Sequence, residues 1–210
     1  KRQTLTATIQ MADFTIVKFD FKDYFNSISS IYVFEKYLRS NLTDRHEIDL
    51  IKAFVYSTKR SYAGLCTSNA IAEIIATHFD KAIRKKFSSN GVIYYERYID
   101  DCVLVLNEHM EESETKDLLN AVLLEVFHDT SLKCLQCKTE FNWKKFGYIS
   151  RRKVLSQKCS IDFLGYEFWF SSKQIRKGAE ITIQYGITLA KQNKYRNRLD
   201  SFISSYTNLS

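Results

Sequence analysis

Proline is absent from this chain of 210 residues, and glycine occurs only six times. Helix ends therefore depend on capping side chains and on the few glycines, because no proline is present to stop a helix. No apolar run reaches the length of about 18 residues that a membrane-spanning helix needs, and no signal peptide is recognisable. We therefore expect a cytoplasmic protein that does not cross a membrane.

Cysteine and histidine are also sparse. The five Cys are odd in number and irregularly spaced, which argues against a disulfide framework and favours a reducing compartment. Cys134-x-x-Cys137 has the spacing of half a zinc site, but no second pair follows at a suitable distance, so zinc is not predicted. The four His are scattered, and nothing marks any of them as a catalytic base.

Positive charge and aromatic side chains are abundant. The net charge is +7, and residues 131–199 alone carry fifteen Lys or Arg against four Asp or Glu, a net charge of +11. Fifteen Phe, thirteen Tyr and two Trp offer many surfaces for stacking. A basic C-terminal third indicates contact with a phosphate backbone, although a solvated basic surface would look the same in the sequence.

Hydrophobic periodicity predicts a mixture of strands and helices. Their order predicts an α+β fold, an antiparallel sheet with helices packed mainly on one face. We predict strands at Phe14–Phe19 and Leu132–Trp143, a strand–turn–strand unit at Val92–Leu106, a hairpin pair at Gly147–Val154 and Ile161–Ser171, and helices at Ile31–Arg39, Glu47–Thr58, Asn69–Phe87, Ser113–His128 and Thr188–Ser205.

Two acidic sites stand at the ends of predicted strands. Asp20 ends an apolar strand, and Asp100 and Asp101 form the turn between the apolar runs Val92–Tyr95 and Cys102–Leu106. Ionised Asp is almost never buried unless it is paired or bound to a metal. If the two strands are neighbours, Asp20 and Asp100 could share a pair of cations, which suits phosphoryl transfer. The simpler interpretations are a strand-end cap and an exposed hairpin turn.

Five short motifs place these acids in a wider pattern. They are Asp20-x-x-x-Tyr24-Phe25-x-Ser27-Ile28, Gly64-Leu65-Cys66-Thr67-Ser68-Asn69-Ala70, Tyr98-x-Asp100-Asp101, Leu135-Gln136-Cys137-Lys138-Thr139 and Asp162-Phe163-Leu164-Gly165-Tyr166. In this order and spacing they resemble the palm motifs of reverse transcriptases, over about residues 13 to 170. The resemblance implies a polymerase palm, followed by a primer-grip hairpin and a basic C-terminal helix.

The resemblance also implies an activity and its cofactor. The protein would be an RNA-directed DNA polymerase that uses two Mg²⁺ ions, or Mn²⁺, and its partners would be an RNA template, a DNA primer and deoxynucleoside triphosphates. Asp20, Asp100 and Asp101 would be the catalytic acids and metal ligands, helped by the backbone carbonyl of Phe21. Phe25 would stack under the sugar and exclude a 2′-hydroxyl.

Further residues would bind the nucleotide and the nucleic acid. The other nucleotide-binding residues would be Gly64, Thr67, Ser68 and Lys138, and the primer-grip residues would be Phe163, Leu164 and Gly165. The nucleic-acid backbone would follow Arg151, Arg152, Lys153, Lys191, Lys194, Arg196 and Arg198. Core packing, helix capping and solvated lysines are the ordinary interpretations of these residues.

Some positions depart from the family pattern. Cys66 and Asn69 replace the prolines usual in the second motif, and Ala63 stands where a glutamine often precedes its glycine. The tail at 183–199 is similar to the region after the palm in bacterial abortive-infection and other defence-associated enzymes, and the second motif resembles retron-like ones. Untemplated or protein-primed DNA synthesis in phage defence, and a non-catalytic nucleic-acid-binding palm, therefore stay as alternatives. A nucleotide cyclase would carry a Gly-Gly-acidic turn, which differs from Tyr98-Ile99-Asp100-Asp101.

The motifs also suggest a division of the chain. We predict a palm at residues 1–172, with the fingers segment largely missing, and a connection to a thumb or helical region at 173–210. Because the chain begins with Lys, we expect it to be a piece of a longer protein.

Overall fold

The computed structural model of the chain describes residues 12–62, 64, 66–175 and 178–207. The strands are β1 (Thr15–Lys22), β2 (Val92–Tyr98), β3 (Asp101–Leu106), β4 (Glu140–Phe141), β5 (Gly147–Ser150), β6 (Cys159–Phe163), β7 (Tyr166–Ile175) and β8 (Gly178–Ile187). The α-helices are α1 (Tyr24–Ser27), α2 (Ser30–Val33), α3 (Arg45–Thr58), α4 (Cys66–Lys86), α5 (Glu112–Phe127), α6 (Arg151–Ser156) and α7 (Leu189–Thr207). Shorter helical turns lie at Phe34–Leu38, Arg39–Asn41, Ser88–Asn90 and Trp143–Lys145.

Strand β1 is the centre of the main sheet. The order of this antiparallel sheet is β2–β3–β1–β4, and β5 pairs with the first half of β1 on the same side as β4. Because one face of β1 packs in the helical core and the other against the second sheet, its first seven residues are buried and only Lys22 is exposed. A strand that is covered on both faces is usually apolar, yet β1 also buries the polar residues Thr15, Lys18 and Asp20.

One face of the main sheet packs against helices. Alternate residues of β1, Val17, Phe19 and Phe21, point into a core shared with α4 and α5. The ring of Phe21 lies 5.1 Å from that of Phe79 on α4 and 5.6 Å from that of Phe127 on α5. Each fully buried ring of this kind contributes about 1.5–3 kcal/mol, so this cluster fixes the helices firmly to the back of β1.

The opposite face of β1 packs against a second sheet. This antiparallel sheet has the order β6–β7–β8, and its apolar side chains form a second core with Ile16 on β1 and Val103 and Val105 on β3. Lys18 lies on the same face, is 5% exposed, and donates to the Asp162 carboxylate on β6 at 2.9 Å. The prediction of an α+β fold with helices mainly on one face is therefore confirmed.

Two predicted strand assignments are wrong. Gly147–Val154 does not pair with Ile161–Ser171, because β5 pairs with β1 and the chain then turns into α6. The hairpin is instead made by β6 and β7, joined by a tight turn at Leu164 and Gly165. Most of Leu132–Trp143 is irregular, because only Phe141 and Glu140 pair with β1.

Two predicted helix starts are also displaced. Helix α5 begins at Glu112, with Glu111 at its N-cap position, so Ser113 lies within the first turn and does not cap it. Helix α4 begins at Cys66, three residues before the predicted start. The predicted division after residue 172 falls inside β7. In the described residues, no helix combines the length and apolar character that crossing a bilayer requires.

Candidate active site

The two acidic sites meet at one end of the main sheet. Asp20 on β1 lies directly opposite Asp101 on β3, and the backbone N–H of Phe21 donates to the carbonyl of Asp100 at 3.3 Å. Since side chains opposite each other on paired strands share a face, Asp20 and Asp101 both project toward the side of the second sheet. The structure thus brings Asp20 together with Asp100 and Asp101, which lie 80 and 81 positions later in the sequence.

The turn between β2 and β3 presents Asp100. It has only two central residues, Ile99 and Asp100, between the paired residues Tyr98 and Asp101. Ile99 has a φ of 59°, in the left-handed region. That region costs an L-residue roughly 1–2 kcal/mol, and a β-branched side chain tolerates it poorly. The acidic turn is therefore strained and depends on its surroundings to keep its shape.

Arg97 on β2 provides that support, and sequence reasoning missed it. Its side chain is 7% exposed and donates to Asp80 at 3.0 and 3.1 Å and to Glu73 at 2.9 and 3.1 Å, both on α4. It also donates to the carbonyl of Ile99 at 3.1 Å. A basic residue in a half-buried strand next to the turn could have indicated a buried ion pair. The sequence does not show its two acidic partners, because they lie on a separate element, α4.

Burial and mutual repulsion affect the acids. The pKa of Asp100 is raised by burial and by the nearby charge of Asp20. The pKa of Asp101 is also raised, chiefly by burial, with Asp20 and Asp100 adding to the effect and Lys18 opposing it. A site that crowds carboxylates in this way gains most from a bound cation, because a cation stabilises their charged forms.

Lys145 supplies one positive charge to this site. Its ammonium donates to Oδ2 of Asp20, whose side chain is only 1% exposed. This hydrogen bond raises the pKa of Lys145. The other oxygen, Oδ1 of Asp20, is buried and has no hydrogen-bond partner among the described residues.

The three carboxylates fit Mg²⁺ as partial ligands. Within the described residues, no three His, Cys, Asp or Glu side chains are grouped closely enough to hold a metal ion alone. Mg²⁺ is usually bound through one or two carboxylates together with substrate phosphates, so an incomplete set is suitable. The free Oδ1 of Asp20 and the crowded Asp100 and Asp101 are appropriate donors. The side chain of Phe21 points into the helical core, away from the acids. Its backbone carbonyl as a metal ligand stays a prediction.

Phe25 lies beside the acidic turn. Its half-buried ring lines a cavity together with Asn69 and Glu73 of α4 and Ile99 of the turn. The adjacent Tyr24 is buried and donates to the carbonyl of Ala72 at 3.2 Å, which makes it a packing residue. The position of Phe25 is suitable for contact with a nucleotide sugar.

The predicted nucleotide-binding residues Gly64, Thr67 and Ser68, around the start of α4, are not among the residues that line this cavity. Gly64 is exposed with a φ of +95°, a conformation that favours glycine, while Leu65 lies outside the described residues. Thr67 is exposed. Ser68 is buried, and its hydroxyl accepts a hydrogen bond from the backbone N–H of Tyr62 at 2.9 Å, so it joins the loop to the helix.

The predicted lysine and the lysine that contacts the acids are different residues. The side chain of Lys138 is exposed, and its backbone N–H donates to the carbonyl of Ser27 at 2.7 Å. Lys145, seven residues further on, pairs with Asp20. The Trp143-Lys144-Lys145 sequence was visible, but no periodicity in this irregular segment indicates which lysine faces the sheet.

The predicted primer-grip residues form the β6–β7 turn. Phe163 is buried in the second core, while Leu164 and Gly165 have φ values of 52° and 78°. A Cβ on Gly165 would lie 2.6 Å from the side chain of Lys191 on α7. The ammonium of Lys191 donates to the carbonyl of Leu164 at 3.3 Å and lies 4.4 Å from the ring centre of Tyr166. Lys191 therefore stabilises the turn.

The predicted phosphate-binding residues lie on two helices. Arg151, Arg152 and Lys153 begin α6, and the ammonium of Lys153 donates to the carbonyl of Tyr148 at 3.2 Å. The exposed residues of this set are Arg152 on α6 and Lys194, Arg196 and Arg198 on α7.

Comparison with known proteins bears on this site. A model of the reverse transcriptase (RNA-dependent DNA polymerase) family matches residues 3–168. The chain belongs to the reverse transcriptase family. The match contains all three acids of the candidate site as well as Phe25 and the β6–β7 turn. Among curated proteins, none matches the chain significantly.

Solved structures show the same fold. One similar chain belongs to telomerase from Candida albicans in complex with the TWJ fragment of telomeric RNA, with 16% identity and a TM-score of 0.52. The alignment covers 79% of this chain and 31% of that one. The present chain therefore spans about a third of the telomerase chain, and at this identity the likeness concerns the fold alone.

Proposed function

We propose that this reverse transcriptase domain adds deoxynucleotides to a 3′-hydroxyl with RNA as template. The observation that carries the proposal is the meeting of Asp20, Asp100 and Asp101 at one end of the sheet. Adjacent carboxylates in a partly buried site are costly to the fold unless a cation binds there. Their presence at the positions of the family's acidic motifs supports a catalytic role over a purely structural one.

The three acids, with the carbonyl of Phe21, would hold a pair of Mg²⁺ ions. When bound, such ions make the attacking hydroxyl more acidic and neutralise charge on the transferred phosphoryl group. Asp20 and Asp101 are fixed by strand pairing, and Asp100 is fixed by the turn that Arg97 supports. The protein thus contributes positions held before substrate binds, which is how fixed charges favour this chemistry.

Other residues would select and orient the substrates. Phe25 would contact the sugar from the cavity beside Ile99, and a bulky ring there would exclude a 2′-hydroxyl. The turn at Leu164 and Gly165 would hold the primer end. The exposed basic residues of α6 and α7 would contact phosphates without reading bases.

Template use can be tested directly on the full-length protein. Each labelled deoxynucleotide is incubated with the protein, Mg²⁺ and a primer, with and without an annealed RNA template. Product whose sequence follows the RNA supports the proposal. Product that forms equally without RNA would replace it with untemplated or protein-primed synthesis, the activity expected of the defence-associated branch. No product under either condition would favour a palm that only binds nucleic acid.

A further inference from the structure

Lys145 occupies a specific place in the acidic site. Its ammonium contacts Oδ2 of Asp20, while its side chain remains 58% exposed to solvent. Asp20 is almost completely buried, and the ammonium also interacts electrostatically with Asp100 and Asp101. One partly exposed positive charge therefore interacts with all three carboxylates at the point where a metal ion would be held.

The backbone directs Lys145 to this position. The backbone N–H of Asn142 donates to the carbonyl of Asp20 at 2.7 Å, and the N–H of Lys145 donates to the carbonyl of Asn142 at 2.9 Å. The helical turn Trp143–Lys145 is thus attached to the same residue of β1 that its last side chain contacts. Successive residues of a 3₁₀ turn point about 120° apart, so Lys144, which is exposed, points elsewhere.

The two members of the ion pair between Lys145 and Asp20 differ in how much they lose when the pair separates. The Asp20 side chain is only 1% exposed, whereas Lys145 has a flexible four-carbon stem and already exposes more than half of its side chain. When the ammonium moves away from Asp20, water solvates the ammonium. The free-energy cost of separation therefore comes mainly from the carboxylate, which stays buried without a counter-ion. Another cation at Asp20 removes that cost, and phosphate oxygens are a suitable new partner for the released ammonium.

We propose that Lys145 is an internal counter-ion that leaves Asp20 when a divalent cation binds and then pairs with the phosphates of the incoming nucleotide. This inference rests on the proposed function, because it assumes a metal-dependent nucleotide site at these acids. Lys145 then competes with a divalent ion that arrives alone. A nucleotide gives Lys145 an alternative partner, so divalent ion and nucleotide bind cooperatively.

The test measures Mn²⁺ binding to the full-length protein without nucleic acid, from the electron paramagnetic resonance signal of free Mn²⁺. The variants are Lys145→Met, the matched control Lys144→Met, and Asp20→Asn. We expect Lys145→Met to bind Mn²⁺ about three- to tenfold more tightly than the wild type, since a competing ion pair of this exposure is removed. Lys144→Met should stay within about twofold of the wild type, and Asp20→Asn should lose the site.

Adding a deoxynucleoside triphosphate gives a second readout. The affinity of the wild type for Mn²⁺ should rise more than that of Lys145→Met, because only the wild type releases a lysine to the phosphates. Lys145→Arg keeps the charge and should retain the weak Mn²⁺ affinity of the wild type, which covers the case in which Lys145→Met does not fold.

Three results would overturn the inference. In the first, Lys145→Met binds Mn²⁺ with unchanged or lower affinity. In the second, Lys145→Arg and Lys145→Met both bind more tightly. In both cases the wild type still binds Mn²⁺ through Asp20, so the proposed function survives. In the third, neither the wild type nor Lys145→Met binds Mn²⁺ even with nucleotide, and the proposed function fails as well.

Discussion

Replacing Arg97 by Met should both destabilise the domain and loosen the acidic turn. The guanidinium joins β2 to α4 through Asp80 and Glu73, and it holds the carbonyl of the strained Ile99. Methionine fills much of the same space but offers no donors. The substitution therefore leaves Asp80 without its cation and releases the backbone of the turn.

The expected loss of stability follows from the exposure of each partner. Removing one member of a buried ion pair costs about 3–5 kcal/mol. Asp80 is 27% exposed, so the loss of stability from the Arg97–Asp80 pair is smaller than this range. Glu73 is 60% exposed, so the loss of the Arg97–Glu73 pair adds at most about 1 kcal/mol. We expect a total of about 2–4 kcal/mol. For a domain of this size, that corresponds to a fall in Tm of roughly 5–15 °C.

Thermal unfolding followed by circular dichroism measures this effect, and Arg84→Met is the matched control. Arg84 is exposed, donates to the carbonyl of Tyr95 at 3.1 Å and lies 5.2 Å from the ring centre of Tyr95. Its loss should cost only about 0.5–1.5 kcal/mol. A Tm for Arg97→Met that is no lower than that of Arg84→Met would refute the reasoning.

A double variant tests the positioning role separately from stability. Glycine adopts positive φ without strain, so Ile99→Gly should restore part of the incorporation rate that Arg97→Met loses. It should restore little of the Tm, because the contact with Asp80 stays broken. If Ile99→Gly rescues no activity, Arg97 acts on the fold alone and has no separate effect on the turn.

Three further predictions concern other parts of the molecule. Phe25→Val should reduce discrimination against ribonucleotides about tenfold or more, measured as a ratio of kcat/KM values; unchanged selectivity would remove Phe25 from sugar recognition. Asp162→Ala should lower the free energy of unfolding, measured by urea denaturation, by about 2–3 kcal/mol, because it leaves Lys18 buried without its carboxylate. Lys18→Met removes the buried charge itself and should cost under about 1 kcal/mol. A larger loss for Lys18→Met than for Asp162→Ala would contradict this prediction. Hydrogen bonds from Ser131 lower the pKa of Asp129 to about 2. The stabilisation that ionised Asp129 gives is complete above the unfolded pKa near 4 and is lost as the pH falls toward 2. In Asp129→Asn the free energy of unfolding should therefore fall less steeply between these pH values. An unchanged pH dependence would refute this prediction.

Local patterns were enough to predict the strand and the turn that carry the acids. Asp20 lies two residues before the end of a strand with apolar residues on both faces, and Asp100 lies in a two-residue turn between two strands. Both features depend on neighbouring residues, so hydrophobic periodicity and turn chemistry reveal them. The family motifs then added the order in which these elements pair.

Residues whose role depends on distant contacts were not predicted. Lys145 lies in a segment with little regular structure, so nothing local distinguishes it from Lys138. The second half of β7 is largely polar and exposed, which hid the long hairpin with β8. Arg97 is buried only because α4 supplies two carboxylates. For Lys145 and Arg97 the deciding partner lies on another element of the fold, where periodicity carries no information.

The most direct test of the account is primer extension on an RNA template by full-length Asp100→Asn, with Mg²⁺ and deoxynucleotides. Asparagine has almost the same shape and removes one of the repelling charges that raise the pKa of Asp101, so the variant should fold with an unchanged or higher Tm. Its incorporation rate should fall by about a thousandfold, because a metal ligand is lost. A rate within about tenfold of the wild type, from a folded variant, would contradict the assignment of these acids to catalysis.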